Sequence, residues 1–336
     1  MNKQDTVFVT GGSGFVGSHV VQRLIRDGYN VRMLVRRRPA PASHPSLEVV
    51  VGDLTKPATY DAALPGARAI VHAALTDSFS QDVEATAELS NRCAQAGVQK
   101  FLHLSTISVY GNPKEGTVTE ETPPVPVRDR YAQTKLAIEE ILGERSPVSE
   151  VAVLRLGCVY GPGGGWWTDG LLSLMGRGRL IKVNDGNGTA NLIHVSDIGA
   201  IVMLLLTRSG APFEIFNVTD GTPVSWSRYF SELEKILGHS ATVSMDAAAA
   251  RVYGKKWLEP SLPLRVLRKL QGTRFVHPLD DRSIDGFVSR AVYSNSKASR
   301  VLGFRPVHTM ESGMQTVKLA TEPKATKRGP VPSQGA

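Results

Sequence analysis

Short apolar runs punctuate the first half of the chain: Val7–Val9, Val31–Val35, Leu47–Val51, Ala69–Ala74, Lys100–Ser105 and Val151–Leu156. They are too short for helices and too continuously apolar for strands with one wet face. This pattern predicts strands of a parallel sheet covered on both sides. Between them lie helical stretches, among them Ser18–Arg26 and Tyr131–Leu142, and Gly28 and Gly97 stand where glycine caps end helices. Strands alternating with helices read as βαβ units and give an α/β, doubly wound fold.

The texture changes at Gly161-Pro162-Gly163-Gly164-Gly165, which must break regular structure. Asn191–Val195, a helix from Ser196, and Glu214–Val218 then read as a return to the main sheet. The expected division is a dinucleotide-binding part at 1–165 plus 189–221, and a smaller discontinuous substrate lobe at 166–188 plus 222–322. Residues 323–336, rich in Pro, Gly and Ser, read as a disordered tail.

The first strand runs into Thr10-Gly11-Gly12-Ser13-Gly14-Phe15-Val16-Gly17 and then a helix. A strand, a glycine turn and a helix N-terminus suit a dinucleotide pyrophosphate: glycines admit close backbone approach, and the helix dipole favours the anion. The glycines satisfy both GxGxxG and GxxGxxG, the latter a spacing typical of short-chain dehydrogenase/reductases.

Composition narrows the class. An apolar fraction of 41% and a charged fraction of 21% are those of a globular protein, and no apolar run is long enough to span a bilayer. The N-terminus lacks a signal-peptide pattern, so the expected location is the cytoplasm. Cys93 and Cys158 show no paired spacing, and the eight histidines show no metal-site spacing, so no metal is expected. The net charge of +8 is clustered at Arg36-Arg37-Arg38, in 251–274 and in the tail. Segment 257–270 mixes apolar and basic residues; it reads as a lid helix, and it could touch an anionic membrane. The basic clusters lack interleaved aromatics, which argues against nucleic acid.

Tyr131 and Lys135 form a YxxxK pair on one helix face, where an ammonium could lower the phenol's pKa and make Tyr131 an acid/base. The pair Tyr110 and Lys114 has the same spacing, but Gly111 and Pro113 lie between. Ser105, Thr106 and Ser108 cluster at a strand's carboxyl end, where a hydroxyl could bind a substrate oxygen or cap the following turn.

Together these motifs resemble the extended short-chain dehydrogenase/reductases, the NAD-dependent epimerase/dehydratase family, over roughly 5–320. The matching segments include Thr10 to Gly17, Gly52-Asp53-Leu54, Val71-His72-Ala73-Ala74, Leu104 to Gly111, Tyr131 to Lys135, Tyr160-Gly161-Pro162 and Asn191 to Asp197. The resemblance implies a Rossmann-type fold, Thr106 as the catalytic hydroxyl, Tyr131 as the proton-transfer group and Lys135 on the nicotinamide ribose. It also implies that Gly11, Ser13, Gly14, Phe15, Val16 and Gly17 hold the pyrophosphate. Asp53 and Leu54 would touch adenine, and Ala73 and Ala74 the ribose. A homodimer, common among relatives, could form.

Departures from the sugar-nucleotide branch refine this. Val35 stands where NAD-specific members carry an acidic residue, and Arg36 and Arg37 follow, which favours NADP over NAD. Ile107 and Ser108 follow Thr106 in place of a dehydratase's Asp-Glu pair, and Cys158 stands where nucleotide-sugar members place Asn. Asn191-Leu192-Ile193-His194-Val195 is closer to the dihydroflavonol-reductase-like and hydroxysteroid-dehydrogenase-like branch. Arg177, Arg179 or Lys182 could still bind phosphate. The expected activity is an NAD(P)-dependent interconversion of secondary alcohol and ketone, or of aldehyde and alcohol, on a small-molecule substrate. The rivals are a nucleotide-sugar epimerase or 4-ketoreductase, and a non-catalytic NADP sensor or scaffold, which would not need the Thr/Tyr/Lys set.

Overall fold

The computed structural model describes residues 4–37, 44–76, 78–125, 129–258 and 275–322. Much of segment 257–270 and the tail from 323 therefore lie outside the described residues.

Thr6–Thr10 (β1) pairs in parallel with Asn30–Val35 (β2), Val7 opposite Val31. Leu47–Val51 (β3), Ala67–His72 (β4), Lys100–Thr106 (β5), Glu150–Leu156 (β6) and Phe213–Val218 (β7) complete the sheet. It has seven strands in the order β7-β6-β5-β4-β1-β2-β3, every pairing parallel. The order reverses at β1, so the crevice between the carboxyl ends of β1 and β4 is where such sheets bind ligands.

Both faces are covered, as the continuously apolar strands require. Phe15–Arg26 (α1) and Val195–Thr207 (α5) bury Val20, Leu24, Ile198 and Val202 on one face. Phe79–Gln95 (α2) and Arg130–Arg145 (α3) bury Leu89, Cys93, Ile138 and Leu142 on the other. Each large aliphatic side chain so buried contributes roughly 1.5–3 kcal/mol.

A second apolar cluster forms around a three-stranded sheet of 179–183, 242–245 and 276–277. Leu171–Arg177 (α4), Trp226–Leu237 (α6), Ala247–Leu258 (α7) and Asp281–Val288 (α8) pack on it through Leu171, Met175, Trp226, Phe230, Ala250 and Phe287. Of the last helices, Ser296–Leu302 (α9) buries Ala298 and Leu302 in the first core, and Met310–Thr321 (α10) buries Met314 in the second.

One expectation is corrected. Glu214–Val218 rejoins the main sheet as part of β7, but 192–194 pairs in parallel with Cys158–Tyr160 in a separate ladder. Gly157 is the reason. Its N–H donates to Val218 O at 2.9 Å, the next N–H, of Cys158, donates to Asn191 O at 2.7 Å, and a Cβ on Gly157 would lie 2.4 Å from that carbonyl. The strand changes partners at a residue that must lack a side chain.

Candidate active site

A cavity of about 480 Å³ opens where β1 and β4 part. Gly11, Ser13 and Gly14 line it from the glycine turn, Arg36 from the end of β2, Asp53 and Leu54 from the loop after β3, and Ala73 and Ala74 from the end of β4. Gly11 has φ +69°, and a Cβ there would meet the Ala73–Ala74 backbone at 2.7 Å. A Cβ on Gly17 would lie 2.1 Å from Gly11 O. The turn is thus packed backbone to backbone, as close approach to phosphates demands.

Gly14 is the N-cap of α1 and supplies no side-chain cap, and the first turn holds no acidic residue, so the leading N–H groups and the dipole are left for an anion. The site fits a dinucleotide. Phe15 and Val16 enter as the first helical residues: Phe15 turns its ring toward Gly165 and Val16 packs against the core. Arg37 is exposed beyond Arg36. Asp53 is held by the Thr55 N–H and hydroxyl, which donate to its Oδ1 at 3.0 and 2.9 Å. These bonds, with the nearby Lys56 and Arg36 charges, keep its carboxyl below the ordinary value.

Polar side chains fasten this cleft from behind. Thr86 donates its hydroxyl to Asp82 O at 2.7 Å, so it accepts from His72 Nε2 at 3.1 Å, and His72 Nδ1 accepts from Thr10 Oγ1 at 2.7 Å. His72 is buried and neutral, its pKa pushed down to about 3 by desolvation and the Lys135 charge. His103 stacks on it at 5.4 Å with both ring nitrogens unpartnered.

Thr106 ends β5, and its Oγ1 accepts the Ser108 N–H at 3.2 Å, capping the short 3₁₀ turn Ile107–Tyr110. The same hydroxyl donates to Ser108 Oγ at 3.1 Å, and it is near enough to the Tyr131 phenol to lower its pKa. Ser105 projects to the opposite side of the strand and donates to Glu139, which receives Arg155 in a bidentate pair with the closest contact at 2.6 Å. Arg155 also donates to Tyr110 Oη at 2.7 Å, and Tyr110 donates to Asn217 Oδ1 at 2.9 Å. Ser105 and Tyr110 are therefore committed to a buried network.

Tyr131 is the second residue of α3 and is 44% exposed. Desolvation nonetheless pushes its phenol above the ordinary value, with Thr106 pulling it down, Asp129 pushing it up and Arg282 pulling it down. Lys135 is not among these causes. Its ammonium is buried and donates to Leu104 O at 2.6 Å. Burial lowers its pKa to about 8 against the opposing pull of Asp82 and Glu139. The i, i+4 spacing set both residues on one face, but the nearest acceptor for the ammonium is the β5 carbonyl, and it turns there rather than to the phenol.

Thr106 and Ser108 border a second cavity of about 560 Å³. Trp166, Trp167, Leu171, Leu174, Leu180, Trp226, Phe287 and Cys158 make most of its wall apolar. The glycine run delivers the tryptophans there: it crosses α1, with His19 Nε2 donating to Pro162 O at 2.9 Å and Gly165 against Phe15. Arg177 instead bonds Ser173, Arg179 bonds Thr242 O, and neither they nor Lys182 line the cavity. Among the described lining residues the only Lys or Arg is Arg282, paired with Asp129 at 2.7 Å.

The fold also joins His194, Asp197 and His308, which sequence spacing could not show, with donor atoms within 4.8 Å of one another. Asp197 accepts the N–H groups of Val307 and His308, and both ring nitrogens of His194 have partners, so these atoms are already committed. The fold likewise joins Asp129 and Arg282, whose separation in the chain hides the pair, although an Asp directly before a helix start is a legible N-cap signal.

The family model for the NAD dependent epimerase/dehydratase family matches residues 7–219. A 3-beta-hydroxysteroid dehydrogenase of Mycolicibacterium neoaurum is 29% identical over 92% of this chain and 89% of its own length. A 4-hydroxy-2-methyl-3-oxo-4-farnesyl-3,4-dihydroquinoline-1-oxide ketoreductase of Stigmatella aurantiaca is 26% identical over 93% and 96%. Among solved structures, MoeE5 in complex with UDP-glucuronic acid and NAD is similar at TM-score 0.70 and 25% identity, covering 94% of this chain and 98% of that one. The chain belongs to the NAD-dependent epimerase/dehydratase family and is an NAD-dependent enzyme acting on CH–OH groups.

Proposed function

We propose that the enzyme is an NADP-linked reductase of a bulky, uncharged ketone, with Thr106, Tyr131 and Lys135 as its working set. The observation that carries this is the cavity beginning at Thr106: tryptophan and leucine walls, with its one Lys or Arg among the described residues already tied to Asp129. A diphosphate would enter it against apolar walls and without a free cation from those residues. The nicotinamide supplies the hydride when bound.

Thr106 orients the substrate oxygen through its hydroxyl. Tyr131 donates the proton from Oη to the substrate oxygen as negative charge develops on that oxygen; desolvation raises the phenol's pKa further, so it is protonated near neutral pH, the form that reduction needs. Lys135 holds the nicotinamide ribose, the role that the family resemblance gives it. Arg36, exposed on the wall of the first cavity where no acidic residue ends β2, would donate to the 2′-phosphate.

The test starts by denaturing freshly purified protein and identifying any nucleotide released. The emptied protein is then titrated with NADPH and NADH, and turnover is measured on 3-oxosteroid/3β-hydroxysteroid pairs and on UDP-glucose. Empty protein that prefers NADPH and reduces the oxosteroid, with Tyr131→Phe inactive but binding NADPH normally, is the expected result. The similarity to MoeE5 supports the rival, a nucleotide-sugar epimerase or 4-ketoreductase. Retained NAD with UDP-glucose epimerised and no net cofactor consumed would establish that rival.

A further inference from the structure

Arg282 belongs to α8, yet its Nη1 lies 2.7 Å from Oδ1 of Asp129, the N-cap of α3. Asp129 accepts the N–H of Ala132 at 2.9 Å and that of Tyr131 at 3.4 Å. Its side chain is 12% exposed against 53% for Arg282, so the carboxylate is the fixed member and the guanidinium reaches to it. Neighbouring contacts fix the base of Arg282: Asn112 Nδ2 donates to its carbonyl at 3.4 Å, and Ser289 Oγ donates to Pro113 O at 2.6 Å. An ion pair from α8 to the helix cap thus leads to two cap hydrogen bonds on the first turn that carries Tyr131.

We propose that Arg282 is a positioning residue for the reaction: by clamping Asp129 it fixes the first turn of α3 and so the place and charge surroundings of the Tyr131 hydroxyl. This rests on Tyr131 being the proton-transfer group. A half-exposed ion pair stabilises a fold by only about 0–1 kcal/mol, so the pair's significance lies in its position. The groups facing the phenol are Thr106 from β5, Asp129 from the cap of α3 and Arg282 from α8, while Lys135 on the same helix face is turned to Leu104 O. Asp129 pushes the phenol pKa up and Arg282 pulls it down. The two halves of the clamp therefore act on the phenol with opposite electrostatic signs.

The experiment labels tyrosine at Cζ with carbon-13 in the full chain, assigns Tyr131 by the signal missing from Tyr131→Phe, and follows its titration by NMR. Arg282→Met leaves Asp129 unopposed, and the midpoint moves up. Asp129→Asn keeps a capping acceptor but leaves Arg282 unopposed, and the midpoint moves down. Arg282→Lys, which keeps the charge, stays near the parent. Turnover with the oxosteroid falls in Arg282→Met through kcat rather than KM and recovers partly in Arg282→Lys. Midpoints that stay put, or move the same way in both charge variants, while Tyr131→Phe is inactive, overturn the role of Arg282 alone. Full turnover by Tyr131→Phe overturns the underlying assignment and this one with it.

Discussion

Replacing Lys135 by methionine isolates the charge buried in the helix that carries Tyr131. The ammonium is nearly inaccessible, 3% exposed, and its pKa falls from 10.5 to about 8 because burial strips its water. The unfolded chain keeps the ordinary value, so between pH 8 and 10.5 it binds more protons than the folded chain, and stability from this group rises with pH across that window. Below pH 8 the fold carries the whole penalty, about 3 kcal/mol, because each tenfold change in a protonation equilibrium is worth roughly 1.4 kcal/mol. Methionine fills similar volume without charge but forfeits the hydrogen bond to Leu104 O, about 1 kcal/mol. The balance is a gain of about 2 kcal/mol near neutral pH. With an unfolding entropy of roughly 2.1 cal/mol/K per residue over 336 residues, this raises the melting temperature by about 3 °C. Urea denaturation of both proteins at pH 6.5 and pH 10 is the assay. The gap should be widest at pH 6.5 and shrink toward pH 10, while Lys135→Met loses turnover. A variant destabilised at both pH values, or a gap indifferent to pH, would refute a desolvated ammonium at this position.

Arg36→Ala should weaken NADPH binding by roughly 10- to 100-fold, the loss of one or two charge-assisted hydrogen bonds, and leave NADH nearly unchanged in calorimetric titration; equal losses would remove Arg36 from the phosphate site. Gly17→Ala puts a Cβ 2.1 Å from Gly11 O, so the turn must move; about 1–3 kcal/mol of strain should appear as a roughly 10- to 100-fold loss of NADPH affinity, and parent-like binding would show the turn is not that tight. Arg155→Met strands the Glu139 carboxylate, both side chains being 3% exposed, and should destabilise by about 3–5 kcal/mol in urea denaturation. Arg155→Met with Glu139→Leu should recover most of that, and strictly additive losses would contradict the pairing.

The parallel strands were legible because continuous β-branched and leucine runs leave a parallel sheet few alternatives, and the glycine turn because only glycines fit a backbone contact at 2.7 Å and 2.1 Å. What stayed hidden are relations between residues distant in the chain. Spacing showed that Tyr131 and Lys135 share a helix face, but not that Leu104 O would capture the ammonium or that α8 would bring Arg282, far along the chain, to the cap of that helix. Spacing likewise gave no sign that His194 and Asp197 would meet His308, or that Gly157 would hand the chain from Val218 to Asn191. These contacts form where long connections close onto the sheet, and local periodicity holds no information about them. The division has a chemical consequence. The first cavity is built from local motifs around β1 and β4, so the glycine turn that lines it could be read directly. The second cavity is walled by residues from Thr106 to Tyr293, and its character emerges only when Trp166, Trp167 and Trp226 are seen on one surface with a guanidinium turned away to Asp129.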